Sequence, residues 1–157
     1  MTPRRAAAGF TLTELMIVVA IMGLIAAIAA PSMADMVRTQ RLRTASFDVF
    51  AALNLARSEA IKRNGPVTIT PNNGTWNDGW ITRDQYNNVL QRQEAYSSCG
   101  SCSIAGPASI VFASSGRVTN LAAPSISVTA SNLDSGKYRC ITVELSGRPV
   151  TKQGACA

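Results

Sequence analysis

The stretch that decides the fold is Gly9-Phe10-Thr11-Leu12-Thr13-Glu14-Leu15, with the apolar run that continues from it to Ala30 and Pro31. From Phe10 to Ala30 the only charged side chain is Glu14. Ala, Leu, Ile and Met favour a helix, Gly23 is a mild cost, and no proline interrupts the run before Pro31. A helix of roughly 20 residues, rising ~1.5 Å per residue, is long enough to cross a bilayer core. Arg4 and Arg5 stand just before it and predict a cytoplasmic N-terminus, with the rest of the chain in the periplasm or outside.

An ordinary secretory signal would also open on a basic leader and an apolar core. It predicts a small-residue cleavage site after that core, and Ala26 to Ala30 offer one. Two features point the other way. The apolar run passes directly into a long helical pattern, with no extended linker. Glu14 also sits near the start of the run, and a carboxylate is costly in lipid and usually functional there.

The junction Gly9-Phe10 followed by Glu14 resembles the class III signal of type IV pilins and type II secretion pseudopilins. The resemblance implies cleavage between Gly9 and Phe10 by a prepilin peptidase and N-methylation of Phe10. It implies that Glu14 neutralises the new terminal amine, its own or a neighbour's, during assembly. Two buried opposite charges are tolerable together and costly apart. Pro31 falls where many pilins carry a helix-kinking proline. Loss of Met1 to Gly9 removes two of the 15 basic residues, so the balance drops from +6 to +4.

Ser32 to Arg63 reads as the amphipathic continuation of the helix. Leu42, Val49, Leu53, Ala56 and Ala60 recur at spacings near 3.6 and form one apolar stripe, which Phe50 and Ile61 widen. Arg38, Arg41, Arg57 and Lys62 lie largely off it. Asn64-Gly65-Pro66 then ends the helix. The segments Gln40-Arg41-Leu42-Arg43 and Asn54 to Arg63 are similar to those of FimT/GspH minor pilins and pseudopilins.

Beyond Val67 the pattern becomes short alternating runs between turn residues. Strands are predicted over Val67 to Thr70, Gly79 to Thr82, Val89 to Ala95, Ile110 to Phe112, Ile126 to Thr129 and Tyr138 to Leu145. Asn73-Gly74 marks a hairpin, and Asp78-Gly79, Ser115-Gly116 and Ser146-Gly147 mark further turns. Ser97 to Pro107 reads as a small-residue loop. With no interleaved helices, antiparallel sheets are expected. The fold class is therefore α+β: a long N-terminal helix packed on antiparallel sheet, as in type IV pilins. The organisation is a leader at 1–9, a transmembrane or filament-core half-helix at 10–31, an amphipathic half at 32–65, and a β-rich periplasmic head at 66–157 that packs with 32–65.

The resemblance extends through Gly79-Trp80, through Ile110-Val111-Phe112 with Gly116-Arg117, and through Arg139 to Val143 with Ser146-Gly147-Arg148. The closing Gly147-Arg148-Pro149 and Gly154-Ala155-Cys156 look more like FimT of type IV pili than GspH of type II secretion.

Four cysteines allow three pairings. Cys140–Cys156 would close the terminal hairpin around Gly147, a loop of about 15 residues worth roughly 3 kcal/mol in the chain-entropy model. Cys99–Cys102 would staple the small-residue loop. A redox Cys-X-X-Cys at Cys99 to Cys102 lacks a helix N-terminus, and a zinc site lacks a second Cys-X-X-Cys. The sequence has no histidine, which rules out a Ser/His/Asp triad. Asn72, Asn73, Asn77 and Asp78 read as turn chemistry rather than a cation loop. No catalytic residue, metal site or cofactor is expected.

The expected function is that of a minor pilin-like subunit, held in the inner membrane and joining a filament. Its expected partners are the prepilin peptidase, other pilins and membrane lipid. Two alternatives remain. One is a type II secretion pseudopilin. The other is a pilin that takes up double-stranded DNA. In DNA-binding relatives a Gly-Arg-X-Arg motif lies near the C-terminus. Gly147-Arg148-Pro149-Val150 keeps the first arginine only, with Lys152, Lys137 and Arg139 as the other cations of the expected patch. Phosphate binding needs several charges acting together.

Overall fold

Leu42, Val49, Leu53, Ala56 and Ala60, the stripe expected from spacing, are all fully buried, and Ala45 and Ala52 complete it. They lie on α1 (Leu12–Arg63), a helix of 52 residues. The structure, a computed structural model, describes residues 10–96, 102–131 and 133–156, with only the backbone of 29–32. The chain divides into two units, Met1–Met36 and Val37–Ala157.

In the first unit the large apolar side chains from Leu12 to Ile28 are exposed. By length and composition no single described helix is apolar enough to cross a membrane. The α1 parts Leu12–Ile28 and Met33–Arg63 pass that test together by length and composition, and Pro31 lies between them.

In the second unit the helix stops as a Schellman motif. Asn64 takes a left-handed conformation (φ 50°). The Gly65 amide donates to the Ala60 carbonyl and the Asn64 amide to that of Ile61, both at 3.2 Å. Phe50 packs against the core as expected. Ile61 instead stays exposed, its side chain lying over Gly116.

Among the described residues there are two sheets, both antiparallel. The first has the order β3-β2-β1-β5, from β1 (Val67–Asn72), β2 (Thr75–Asp84), β3 (Val89–Gln93) and β5 (Ile110–Phe112). The second has the order β4-β6-β7-β8, from β4 (Cys102–Ala105), β6 (Ser125–Ala130), β7 (Arg139–Val143) and β8 (Pro149–Gln153). Ile69, Trp80, Ile110 and Phe112 of the first sheet share one buried cluster with the helix stripe and with Ile126, Val128, Ile141 and Val143 of the second. The fold is thus α+β, a long N-terminal helix followed by antiparallel sheets, as the periodicities predict.

Three details depart from the sequence reading. Asp78-Gly79 is no turn but lies inside β2, where the pairing with β1 slips between Pro71 and Asn72. Gly79 has φ +84°, and a Cβ there would overlap the Gln93 carbonyl, so the glycine serves a bulge rather than a reversal. Ser97 to Pro107 is not all loop, because Cys102–Ala105 pairs with β6 as an edge strand. Only Ile104 of those four residues is buried, so the alternation that marks a strand is almost absent. The strand β8 was equally hard to see: Pro149 is its only buried residue.

Asp84 ties the helix end to the β2–β3 turn. Its Oδ1 accepts from the amides of Tyr86 and Asn88, and its Oδ2 from the Asn88 side chain, each at 2.9 Å. Arg63 Nη1 approaches the same carboxylate at 3.4 Å, and Arg63 Nε donates to Glu59 Oε2 at 2.6 Å. The Asn88 side-chain bond, with the amides and Arg63 behind it, holds the Asp84 carboxyl below its ordinary value of 3.8. Its contribution to stability is therefore present above that value and lost as pH falls through the depressed one. Asp84→Ala should destabilise the chain at neutral pH, lowering its unfolding midpoint. Urea denaturation of the detergent-solubilised protein checks this, and the difference from wild type should shrink in strong acid.

Candidate functional site

The first candidate surface is the start of α1. Thr11 and Glu14 form a capping box: the Thr11 amide donates to Glu14 Oε2 at 2.9 Å, and the Glu14 amide to Thr11 Oγ1 at 3.3 Å. Thr11 Oγ1 also bonds Glu14 Oε2 at 2.9 Å. Glu14 therefore already has a local task, satisfying the donors at the helix start. The sequence carried this signal as Thr-X-X-Glu, but it was overshadowed by the charge itself. Phe10, just before the cap, is 87% exposed. Gly9 lies outside the described residues, so the expected cleavage junction is described on its Phe10 side only.

The second surface is a groove of about 580 Å³ in the second unit. Arg43, Phe47 and Phe50 line it from the helix, and Arg139, Arg148 and Val150 from the β7–β8 hairpin. Positions 43, 47 and 50 follow one another at helical spacing, so they form a single face beside the buried stripe. Phe47 is 66% exposed. Among the described residues none of the three arginines is ion-paired. Arg139 Nη1 donates to the Tyr138 carbonyl at 3.3 Å.

The hairpin holds Arg148 at the groove. The Gly147 amide donates to the Glu144 carbonyl at 2.7 Å, and the Glu144 amide to that of Arg148 at 3.0 Å. Gly147 has φ +82°, and a Cβ there would overlap the Gly116 carbonyl oxygen. Gly116, at φ +75°, is crossed in turn by Ile61 and Arg57 of the helix.

Of the four cations expected to form a patch, the groove takes Arg139 and Arg148. Lys152 pairs with Cys140 across the hairpin, whereas Arg139 pairs with Gln153. Lys152 lies one residue beyond Thr151 and does not line the groove. Lys137 ends a short 3-10 turn, Ser135–Lys137, and does not line the groove. Arg43 and Phe47 were missed as site residues because an arginine and an exposed ring off the core stripe read as a solvated helix face.

Residues 45–147, two thirds of the chain, match the family model described as type II transport protein GspH, and residues 4–30 match the prokaryotic N-terminal methylation motif. The chain belongs to the GspH family. This GspH-family chain is also similar to two crystal structures of the type IV minor pilin FimU of Pseudomonas aeruginosa strain PAO1. Both are 15% identical to it, with TM-scores of 0.59 and 0.62. They cover 70% and 74% of this chain and 91% and 90% of their own. At that identity the likeness shows the fold alone. No curated protein matches in sequence. Members of the family are structural pilins, and this one carries their N-terminal methylation motif.

The C-terminal tail of this GspH-family head is pinned by Cys140–Cys156, with 5.0 Å between α-carbons and a separation of 16 residues. The Gly154 amide adds a bond to the Tyr138 carbonyl. Cys102 is not free, and its expected partner Cys99 lies outside the described residues. Of the asparagine-rich segment, Asn73 lies in the turn with Gly74, whereas Asn77 and Asp78 lie in β2 rather than in a turn. Asn72 Nδ2 donates to the Asp78 carbonyl at 2.9 Å, and Asn77 Oδ1 accepts from the Ile104 amide at 2.7 Å. Among the described residues no group of three or more metal-ligating side chains is assembled.

Gly147→Ala tests the hairpin that holds Arg148. It imposes both an unfavourable φ and an overlap with Gly116, so a loss of roughly 2–4 kcal/mol is expected, above the usual range for exposed turns. Gly74→Ala, also at positive φ but with open space around it, should cost only about 1 kcal/mol. Parallel denaturation curves of the two variants check the difference.

Proposed function

We propose that this chain is a minor pilin of a type IV pilus. On this reading it is processed between Gly9 and Phe10, methylated on Phe10, and built into the filament through its apolar half-helix. One observation carries the proposal: the charged, capped start of α1 leads into an apolar helix that its own fold leaves uncovered. Such a surface needs lipid or other helices to cover it. Lipid covers it before assembly and neighbouring half-helices do so afterwards. Arg4 and Arg5 keep the N-terminus cytoplasmic and the head periplasmic. On this reading Pro31 is the helix-kinking proline. The FimT-like closing residues Gly147-Arg148-Pro149 and Gly154-Ala155-Cys156 support a pilus over a secretion machine. Deleting the gene should then reduce piliation and leave protein secretion intact.

The capping box sharpens the role of Glu14. Processing puts a positive terminus at Phe10, beside a carboxylate already fixed by Thr11. That carboxylate can neutralise its own amine or reach a neighbour's. Glutamine at this position can still cap the helix but carries no charge. Glu14→Gln and Glu14→Ala should therefore both be cleaved normally and both enter filaments about tenfold less or worse. Rescue by glutamine would reduce Glu14 to a helix cap. Mass spectrometry of the mature N-terminus, expected to begin with methylated Phe10, checks the processing.

A second reading, double-stranded DNA held at Arg139 and Arg148, is favoured by the approach of Arg43 to both. On that reading the full-length protein in detergent should shift a duplex at low salt. Arg43→Glu with Arg148→Glu should abolish the shift, and affinity should fall steeply with salt, by a log–log slope of about −0.9 per phosphate contacted.

A further inference from the structure

The groove is lined by Arg148, Pro149, Val150 and Thr151, four consecutive residues. Neighbouring strand residues point to opposite faces. A cavity that touches all of them therefore follows the edge of β8 rather than either face. Among the described residues that edge is open, because β8 is the terminal strand of its sheet and pairs only with β7.

The hydrogen-bond phase says which groups face outward. The Glu144 amide bonds the Arg148 carbonyl, and the Gly154 amide bonds that of Tyr138. These fix 144 with 148 and 138 with 154 as hydrogen-bonded pairs. By alternation 142 with 150 and 140 with 152 are hydrogen-bonded too. The main-chain groups of Val150 and Lys152 therefore point into the sheet. The amides and carbonyls of Thr151 and Gln153, and the carbonyl of Pro149, point out along the groove.

We propose that the β8 edge is a strand-addition site for an extended segment of another filament subunit. The segment would be apolar at its centre and carry carboxylates towards both ends. The open amides and carbonyls supply the pairing, as in other cases of an added strand. Phe47 and Phe50 form an apolar seat beside it. Arg148 stands at one end of β8 and Arg139, opposite Gln153, at the other. Arg43 adds a third positive charge from the helix, and none of the nine lining residues is acidic. Guanidiniums with no ion pair among the described residues, one near each end of an open strand, select an acidic strand over a neutral or basic one. A nucleic acid would use the guanidiniums but leave the outward amides of Thr151 and Gln153 unused. The identity of the partner as a filament subunit rests on the pilin reading above; the site itself does not.

The test uses the full-length protein in detergent micelles and the probe acetyl-Glu-Thr-Val-Thr-Val-Thr-Glu-amide, whose glutamates and valines share one face. Binding should slow amide exchange at Thr151 and Gln153 by about tenfold or more while leaving Val150 and Lys152 unchanged, since only the outward amides gain a partner. The same peptide with lysine at both ends should bind at least about tenfold more weakly. Thr151→Pro removes an outward donor that the β7–β8 ladder does not use, a place where an edge strand accepts proline. It should abolish binding. Phe47→Ser, at an exposed position that the fold does not need, should weaken it severalfold. Unchanged exchange at Thr151 and Gln153 with saturating peptide overturns the proposal. So does equal binding of the lysine peptide, or full binding by both variants. Protection of these amides by an oligothymidylate and not by the peptide overturns it in favour of nucleic acid. Filament entry of the Glu14 variants is independent of all these readings, so the two proposals fail separately.

Discussion

Gly147 meets Gly116 backbone to backbone, and much of the head is organised around that approach. Gly116 ends the turn after β5, in one sheet, and Gly147 the turn between β7 and β8, in the other. Ile61 and Arg57 of the helix lie across Gly116 from the opposite side. Helix and two sheets are thus drawn to one point where no Cβ fits. Both glycines also need positive φ, so space and conformation impose the same choice of residue. Each is followed by an arginine, and Arg148 leaves the contact to border the groove. The geometry of the groove is set here, at residues that do not line it.

Most of the architecture was legible because burial imposes periodicity. The helix stripe and the strands at Val67, Ile110 and Ile126 each present apolar residues at the spacing of their element, and the structure buries them. What escaped was structure that buries little. β4 contributes Ile104 and β8 contributes Pro149, and a single buried residue produces no pattern. Asp78-Gly79 misled for the reverse reason. Positive φ suits a bulge as well as a turn, and the dipeptide alone does not say which. The groove was half legible. Arg139 and Arg148 stood out as cations near the C-terminus, but their company depends on which helix face borders the hairpin. That is tertiary information, and it exchanges Lys152 and Lys137 for Arg43 and Phe47.

Tyr96 shows how the core extends past its strands. Its ring lies 5.8 Å from that of Trp80, which lies 6.0 Å from Trp76. Its hydroxyl donates to Asp48 on the helix at 2.6 Å. Burial, and then the bond to Asp48, push the phenol pKa well above its usual value. Tyr96 therefore stays a neutral donor across the physiological range. It joins the end of the first sheet to the middle of the helix, 48 residues earlier in sequence. A polar bond of this kind fixes register where apolar packing alone would tolerate slip.

The opening segment and the head solve different problems with different chemistry. An apolar half-helix associates through non-directional burial, which gives affinity but little choice of neighbour. Directional choice requires placed charges and hydrogen bonds. On the proposed pilin reading that role falls to Glu14 at the N-terminus, where its capping bonds to Thr11 hold the carboxylate in place. A carboxylate already fixed by Thr11 loses little side-chain entropy when it meets an amine. In the head, the open edge of β8 offers directional pairing with charges at each end. The disulfide from Cys140 to Cys156 has its own consequence there. It anchors the tail to β7, the inner neighbour of β8, by the strand's other face, so the edge stays clear while its strand is held. A free tail could fold back over Thr151 and Gln153 and satisfy them locally. Pinning it leaves those amides for another chain.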